Sequence, residues 1–176
     1  MCIRDSSDAQ TQTEVRFSPL GAPTKKVTFS ILFEGEEKPS FRPKLQAFFD
    51  HIIAYQPFLL HYDVAISSDT TFPHSSGIAS SASSMAALAA CLVDLESQLS
   101  PMDEKRKLEK ISFLARLGSG SACRSVQGPT MAWGTHPSVV ASSDLMAVPV
   151  NDIHAIFATY CDTILLVDKG QKQVSS

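Results

Sequence analysis

Cysteine is scarce and scattered in this sequence. Cys2, Cys91, Cys123 and Cys161 form no C-x-x-C pair, which leaves neither a zinc site nor a redox couple to build on and fits thiols that stay reduced. Histidine is equally thin. His51, His61, His74, His136 and His154 show no H-x-x-x-H spacing, so structural roles account for them better than a metal centre. Neither sign of charge is in excess: 15 Lys and Arg stand against 18 Asp and Glu, and a formal net charge of −3 spreads no broad field for nucleic acid or an anionic membrane. Long apolar runs are missing too. The longest, over residues 85–95, is broken by Asp94 and falls short of the roughly 20 residues a membrane span needs. The amino terminus carries no apolar signal-peptide core. These absences point to small-molecule or protein partners, with no nucleic acid and no membrane, and make the cytoplasm the simplest location.

What is present suffices for one domain with a real core: 176 residues, 44% of them hydrophobic. Residues 1–25 are rich in Thr, Gln, Ser and Pro without periodicity and read as a disordered or non-native extension, its opening "MCIRDS" resembling translated adaptor sequence. From Lys26 the pattern changes. Val27, Phe29, Ile31 and Phe33 alternate as in a half-buried strand ending in the turn Glu34, Gly35, Glu36. Leu45, Phe48, Phe49, Ile52 and Ile53 recur at helical spacing over residues 42–54, and Tyr62, Val64 and Ile66 alternate as a second strand. A helix beginning near residues 78–80 carries Met85, Leu88, Ala89, Leu92 and Leu99 on one face. Ser100 then reads as the N-cap of the next helix, with Pro101 at its first position and Asp103 in its first turn. That helix presents Leu108, Ile111 and Leu114 and stops at Gly118. Strands are expected over residues 130–134 and 163–168.

One stretch resists explanation by propensity. "TFPHSSGIASSASSMAALAACL", residues 71–92, gathers serines and a glycine where a strand passes into a helix. That geometry aims unsatisfied backbone N–H groups and the positive end of the helix dipole at whatever sits before the first turn. Gly77 would let the backbone approach closely, and the serines offer hydroxyls to phosphate oxygens or magnesium. The lysine of a G-x-x-x-x-G-K-S/T loop is absent. On composition alone a serine-rich helix start with good capping is the favoured reading, because caps are far commoner than nucleotide sites. Other features carry less. "GSGSA" is not the G-x-S-x-G of a hydrolase elbow, Lys105, Arg106 and Lys107 lie among acids as on a solvated helix face, and nothing singles out Asp63, Asp94 or Asp168 as a base.

Two longer motifs decide between the alternatives. "FPHSSGIASSAS" resembles the phosphate-binding motif of the GHMP kinase superfamily in the form of its diphosphomevalonate decarboxylase family, and "ARLGSGSACRSVQGPTMAW", residues 115–133, is similar to that family's Ser-Gly-Ser-Ala-Cys-Arg-Ser signature. The resemblance implies an α+β domain of two layers over residues 26–158, with a ribosomal-protein-like βαβ core and a mostly antiparallel sheet. Residues 159–176 would begin a ferredoxin-like second domain. It implies an ATP-dependent decarboxylase that converts mevalonate diphosphate to isopentenyl diphosphate, ADP, phosphate and carbon dioxide, using ATP and Mg2+ and assembling as a homodimer. Pro73, His74, Ser75, Ser76, Gly77, Ile78, Ala79, Ser80 and Ser81 would hold the ATP phosphates, with Ser80 or Ser81 near magnesium. Ser119, Gly120, Ser121 and Arg124 would bind substrate, Arg124 close to its carboxylate and catalytic as phosphate departs.

The departures are His74, where the family more often has threonine, and "VQGPT" in place of a Tyr-Gly-Gly turn. The family's Lys-Tyr-Trp segment and catalytic aspartate are also missing, so the chain reads as a fragment, inactive alone. A mevalonate or phosphomevalonate kinase or decarboxylase of the same superfamily, and a non-catalytic ATP-binding module, stay open at this point.

Overall fold

The computed structural model describes residues 9–72 and 79–160. Its sheet grows from the alternation in β2 (Thr28–Phe33), which buries Phe29, Ile31 and Phe33 and turns Thr28, Ser30 and Leu32 outward. Glu34 and Gly35, at φ 53° and 76°, fold the chain back into β3 (Glu36–Glu37). In α1 (Arg42–Ile52) the helical spacing of Leu45, Phe48, Phe49 and Ile52 puts all four in the core. β4 (Tyr62–Thr70) returns parallel to β2, with Phe29 opposite Val64 and Ile31 opposite Ile66. β2, α1 and β4 follow the periodicities read from the sequence.

β1 (Thr11–Pro19) corrects the expectation of an extension over residues 1–25 where that expectation falls on residues 11–19; residues 1–8 lie outside the described residues. The strand pairs antiparallel along the whole of β4, Val15 opposite Ile66 and Phe17 opposite Val64, giving the order β1-β4-β2-β3 in which only β2 and β4 are parallel. The alternation was hidden because threonines stand at two of its inward positions. Threonine suits a strand, and both hydroxyls find partners: Thr11 Oγ1 lies 2.7 Å from Ser83 Oγ and Thr13 Oγ1 3.0 Å from Ser68 Oγ.

The helices cover one face of this sheet. α2 (Ser80–Leu99) buries Met85, Leu88, Ala89, Leu92 and Val93, its alanines allowing close approach, while Leu99, expected on that face, is 52% exposed at the helix end. Ser100 is not the N-cap of the next helix. Its N–H closes α2 on the Glu96 carbonyl, and α3 (Glu104–Gly118) starts instead from Asp103, whose Oδ1 accepts the Arg106 N–H at 2.9 Å. Asp103 wins because its carboxylate both caps and meets the positive end of the dipole. The expected strand over 130–134 is only β5 (Met131–Ala132), paired with an unforeseen β6 (Val148–Pro149). The expected strand over 163–168 lies outside the described residues.

The three helices meet at Gly118. A Cβ there would fall 2.6 Å from Met85 Sδ and 2.9 Å from Phe48 Cδ2, so a side chain at this point would force Met85 and Phe48 to shift. Gly118→Ala is expected to lower unfolding free energy by about 1–3 kcal/mol, the usual cost of overpacking, read as a lower urea midpoint at unchanged slope.

Candidate functional site

The residue after that tight contact is Ser119. From it the chain enters a 3-10 turn, Gly120–Ser125, that carries the second sequence motif. Ala122 N–H closes on the Ser119 carbonyl, the Cys123 thiol reaches the Gly120 carbonyl at 3.0 Å, and the Trp133 ring packs over Gly120, 3.1 Å from where a Cβ would stand. Facing the turn is the start of α2. Its N-cap is Ala79, in the left-handed region at φ 54° and ψ 32°, with no side-chain cap. Capping therefore does not explain Ser80 and Ser81, which occupy the first turn with the N–H groups that a helix start leaves open. Pro73, His74, Ser75, Ser76, Gly77 and Ile78 lie outside the described residues.

Between these segments and the sheet opens a cleft of about 840 Å³. Ala79, Ser80 and Ser81 line it together with Ser119, Gly120 and Ser121, so the fold brings the described parts of both motifs to one place. They touch through side chains: Ser81 Oγ donates to Ser119 Oγ at 3.5 Å, and the Lys44 ammonium donates to Ser81 Oγ at 2.6 Å. Thr13 and Ser68 add hydroxyls from the sheet. Among the described residues lining the cleft, none is acidic and Lys44 is the single cation. One ammonium, several hydroxyls and an open helix start make a site for a multiply charged anion.

Lys44 was missed by the sequence reading, although a signal existed. The first turn of α1 holds Arg42 and Lys44 and no acid, opposite to what the helix dipole favours. Arg42 is accounted for by its place over the Phe29 ring, 5.0 Å from the centroid, which leaves Lys44 needing another reason.

Arg124 stands apart. It lies in the same turn as Ser119–Ser121 but does not line the cleft with them. Its Nε is buried and has no hydrogen-bond partner among the described residues. Burial pushes the neighbouring Cys123 thiol up from its ordinary pKa, and the Arg124 and Arg116 guanidinium groups pull against that shift, so the turn sits in positive potential. Of the two departures, His74 lies outside the described residues, and the altered turn is accommodated by Gly128 at φ 49°. No group of three or more His, Cys, Asp or Glu side chains among the described residues could hold a metal.

A mixed sheet under three helices, with a serine-lined anion cleft where the second strand of the parallel pair passes into its helix, defines a GHMP kinase-like domain. A family model for the diphosphomevalonate decarboxylase-like N-terminal domain matches residues 2–144, and the chain belongs to that family. It is 40% identical over 114 residues to the diphosphomevalonate decarboxylase of Ganoderma lucidum, an alignment that takes in 60% of this chain and 26% of that protein. Mevalonate diphosphate decarboxylase from Staphylococcus aureus superposes with a TM-score of 0.61 at 31% identity, over 84% of this chain and 40% of that one. A further structure, MDDEF in complex with MVAPP, AMPPCP and magnesium, superposes with a TM-score of 0.58 at 25% identity, over 81% and 40%. The chain thus spans well under half the length of each.

Proposed function

We propose that this chain forms the ATP- and substrate-binding part of an ATP-dependent decarboxylase acting on mevalonate diphosphate in isoprenoid biosynthesis. The observation that carries the proposal is the Lys44–Ser81–Ser119 contact, which joins the start of the phosphate-binding helix to the signature turn inside one cleft free of described carboxylates. A phosphoryl donor and its acceptor need that adjacency, because transfer is chiefly a matter of position and charge.

The residues fit ATP. Lys44 supplies a point charge with donors to spare, and Ser80 and Ser81 present hydroxyls beside the open N–H groups of α2. They fit magnesium in part: Ser81 already accepts from an ammonium, so Ser80 is the better placed of the two, with water and phosphate oxygens completing the shell. Magnesium would neutralise phosphate charge there. Ser119 and Ser121 would hold the diphosphorylated acid, and Arg124 would take its carboxylate in the paired geometry a guanidinium offers. Among the described residues no helix is long and apolar enough to cross a membrane. A cytoplasmic location and a homodimer accompany this reading through the family resemblance.

The test is a calorimetric titration with mevalonate diphosphate, mevalonate phosphate and mevalonate, each with and without AMPPCP and magnesium. The diphosphate should bind at least about tenfold tighter than mevalonate, one tenfold step being about 1.4 kcal/mol. Preference for mevalonate would favour a kinase of the superfamily, and AMPPCP binding with no acid bound would favour a plain nucleotide-binding module.

A further inference from the structure

Serine in the middle of a helix usually faces solvent or bonds back to its own preceding turn. Ser112 in α3 does neither. It is 0% exposed, and its hydroxyl donates to the Cys123 carbonyl at 2.9 Å while accepting the Ala147 N–H at 3.0 Å. One side chain thereby satisfies two buried backbone groups from different segments, using the hydroxyl as donor and acceptor together. The segment around Ala147 is tied to α3 a second time, where Arg116 Nε donates to the Leu145 carbonyl at 2.9 Å.

The Cys123 carbonyl belongs to the peptide plane that also contains the Arg124 nitrogen. Fixing that oxygen therefore fixes the Arg124 N and Cα, the point from which its side chain leaves the turn. Among the described residues Arg124 has little else to aim it, since its buried Nε finds no hydrogen-bond partner there. A guanidinium not anchored by its own Nε depends on its backbone and on packing for its position, and here the backbone is held by Ser112.

We propose that Ser112 is a positioning residue for Arg124: its hydroxyl, bridging the Cys123 carbonyl and the Ala147 N–H, sets the guanidinium where a substrate carboxylate can meet it. The proposal rests on the reading of Arg124 as a ligand of the acid, and a measurement on Arg124 itself separates the two. The Arg124 Nε–H signal is assigned by its loss in Arg124→Lys, and its exchange with solvent is followed by NMR in the intact protein and in Ser112→Ala.

Without the hydroxyl, exchange at Arg124 Nε–H should rise about tenfold or more while amides of β2 and β4 exchange as in wild type. Mevalonate diphosphate affinity should fall about tenfold, the scale of one buried hydrogen bond lost, and AMPPCP affinity with magnesium should change less than about twofold. Wild-type exchange and affinity in a folded Ser112→Ala would overturn the proposal. So would an equal loss of both ligands with faster exchange throughout, because that pattern marks a purely structural serine. If Ser112→Ala does not fold, Ser112→Cys, which keeps the size and a weak donor, is read by the same criteria, and failure of both to fold sinks the idea. A wild-type protein that binds no mevalonate diphosphate overturns the proposed function, while the exchange of Arg124 Nε–H still decides whether Ser112 positions it.

Discussion

Carried in a full-length decarboxylase, Arg124→Lys should lower turnover of mevalonate diphosphate by about 10²-fold, or about 2.7 kcal/mol, while ATP affinity and the thermal midpoint stay near wild type. Lysine keeps the positive charge and loses the planar fork that grips an oxyanion at two points. The expectation for stability comes from the fold. Among the described residues the buried Nε makes no hydrogen bond for its removal to break, and Arg124 has no ion pair. A residue that merely braced the turn would behave in reverse, with a depressed midpoint and normal turnover of the folded fraction. Measuring both quantities on one preparation separates the roles, and a stable variant with intact turnover removes Arg124 from the chemistry.

Lys44→Met should weaken AMPPCP binding in the presence of magnesium by about 10- to 100-fold, the scale of one charge-assisted hydrogen bond at about 1.5–3 kcal/mol. Methionine keeps most of the stem and deletes the ammonium. Stability should hardly change, because a cation in the first turn of α1 opposes the helix dipole and its one described partner is the Ser81 hydroxyl. Unaltered nucleotide affinity in calorimetry would mean that Lys44 only braces Ser81.

How much of this was legible in the sequence depended on whether the determining contacts were local. β2, α1 and β4 announce themselves because one buried face imposes a period of 2 or 3.6 on apolar residues. β1 did not, since Thr11 and Thr13 fill inward positions with side chains whose hydroxyls are satisfied only by Ser83 and Ser68, far along the chain. The start of α3 was misplaced because Ser100–Pro101 and Asp103 offer competing starts within four residues, and only the Asp103 bond to Arg106 decides between them. β5 and β6 are too short for any period to register. The site divides in the same way. The signature motifs named Ser80, Ser81, Ser119 and Ser121, whereas Lys44 and Ser112 act across distances that spacing along the chain does not encode.

The position of β4 between β1 and β2 also bears on how the chain can assemble. Pro19 pairs with Tyr62 and Thr11 with Thr70, so β1 has no native neighbour until the strand that receives it has been synthesised. β2 can pair locally with β3, but its other edge waits for the same strand, its parallel partner β4. Every long-range pairing of the sheet thus runs through one late-arriving segment, and the entropy of closing both loops is met before either strand gains its ladder. On a ribosome that adds residues from the amino terminus, α1 can form ahead of β4, but the sheet beneath it cannot, leaving Phe17, Phe29 and Ile31 exposed to unwanted partners in the interval.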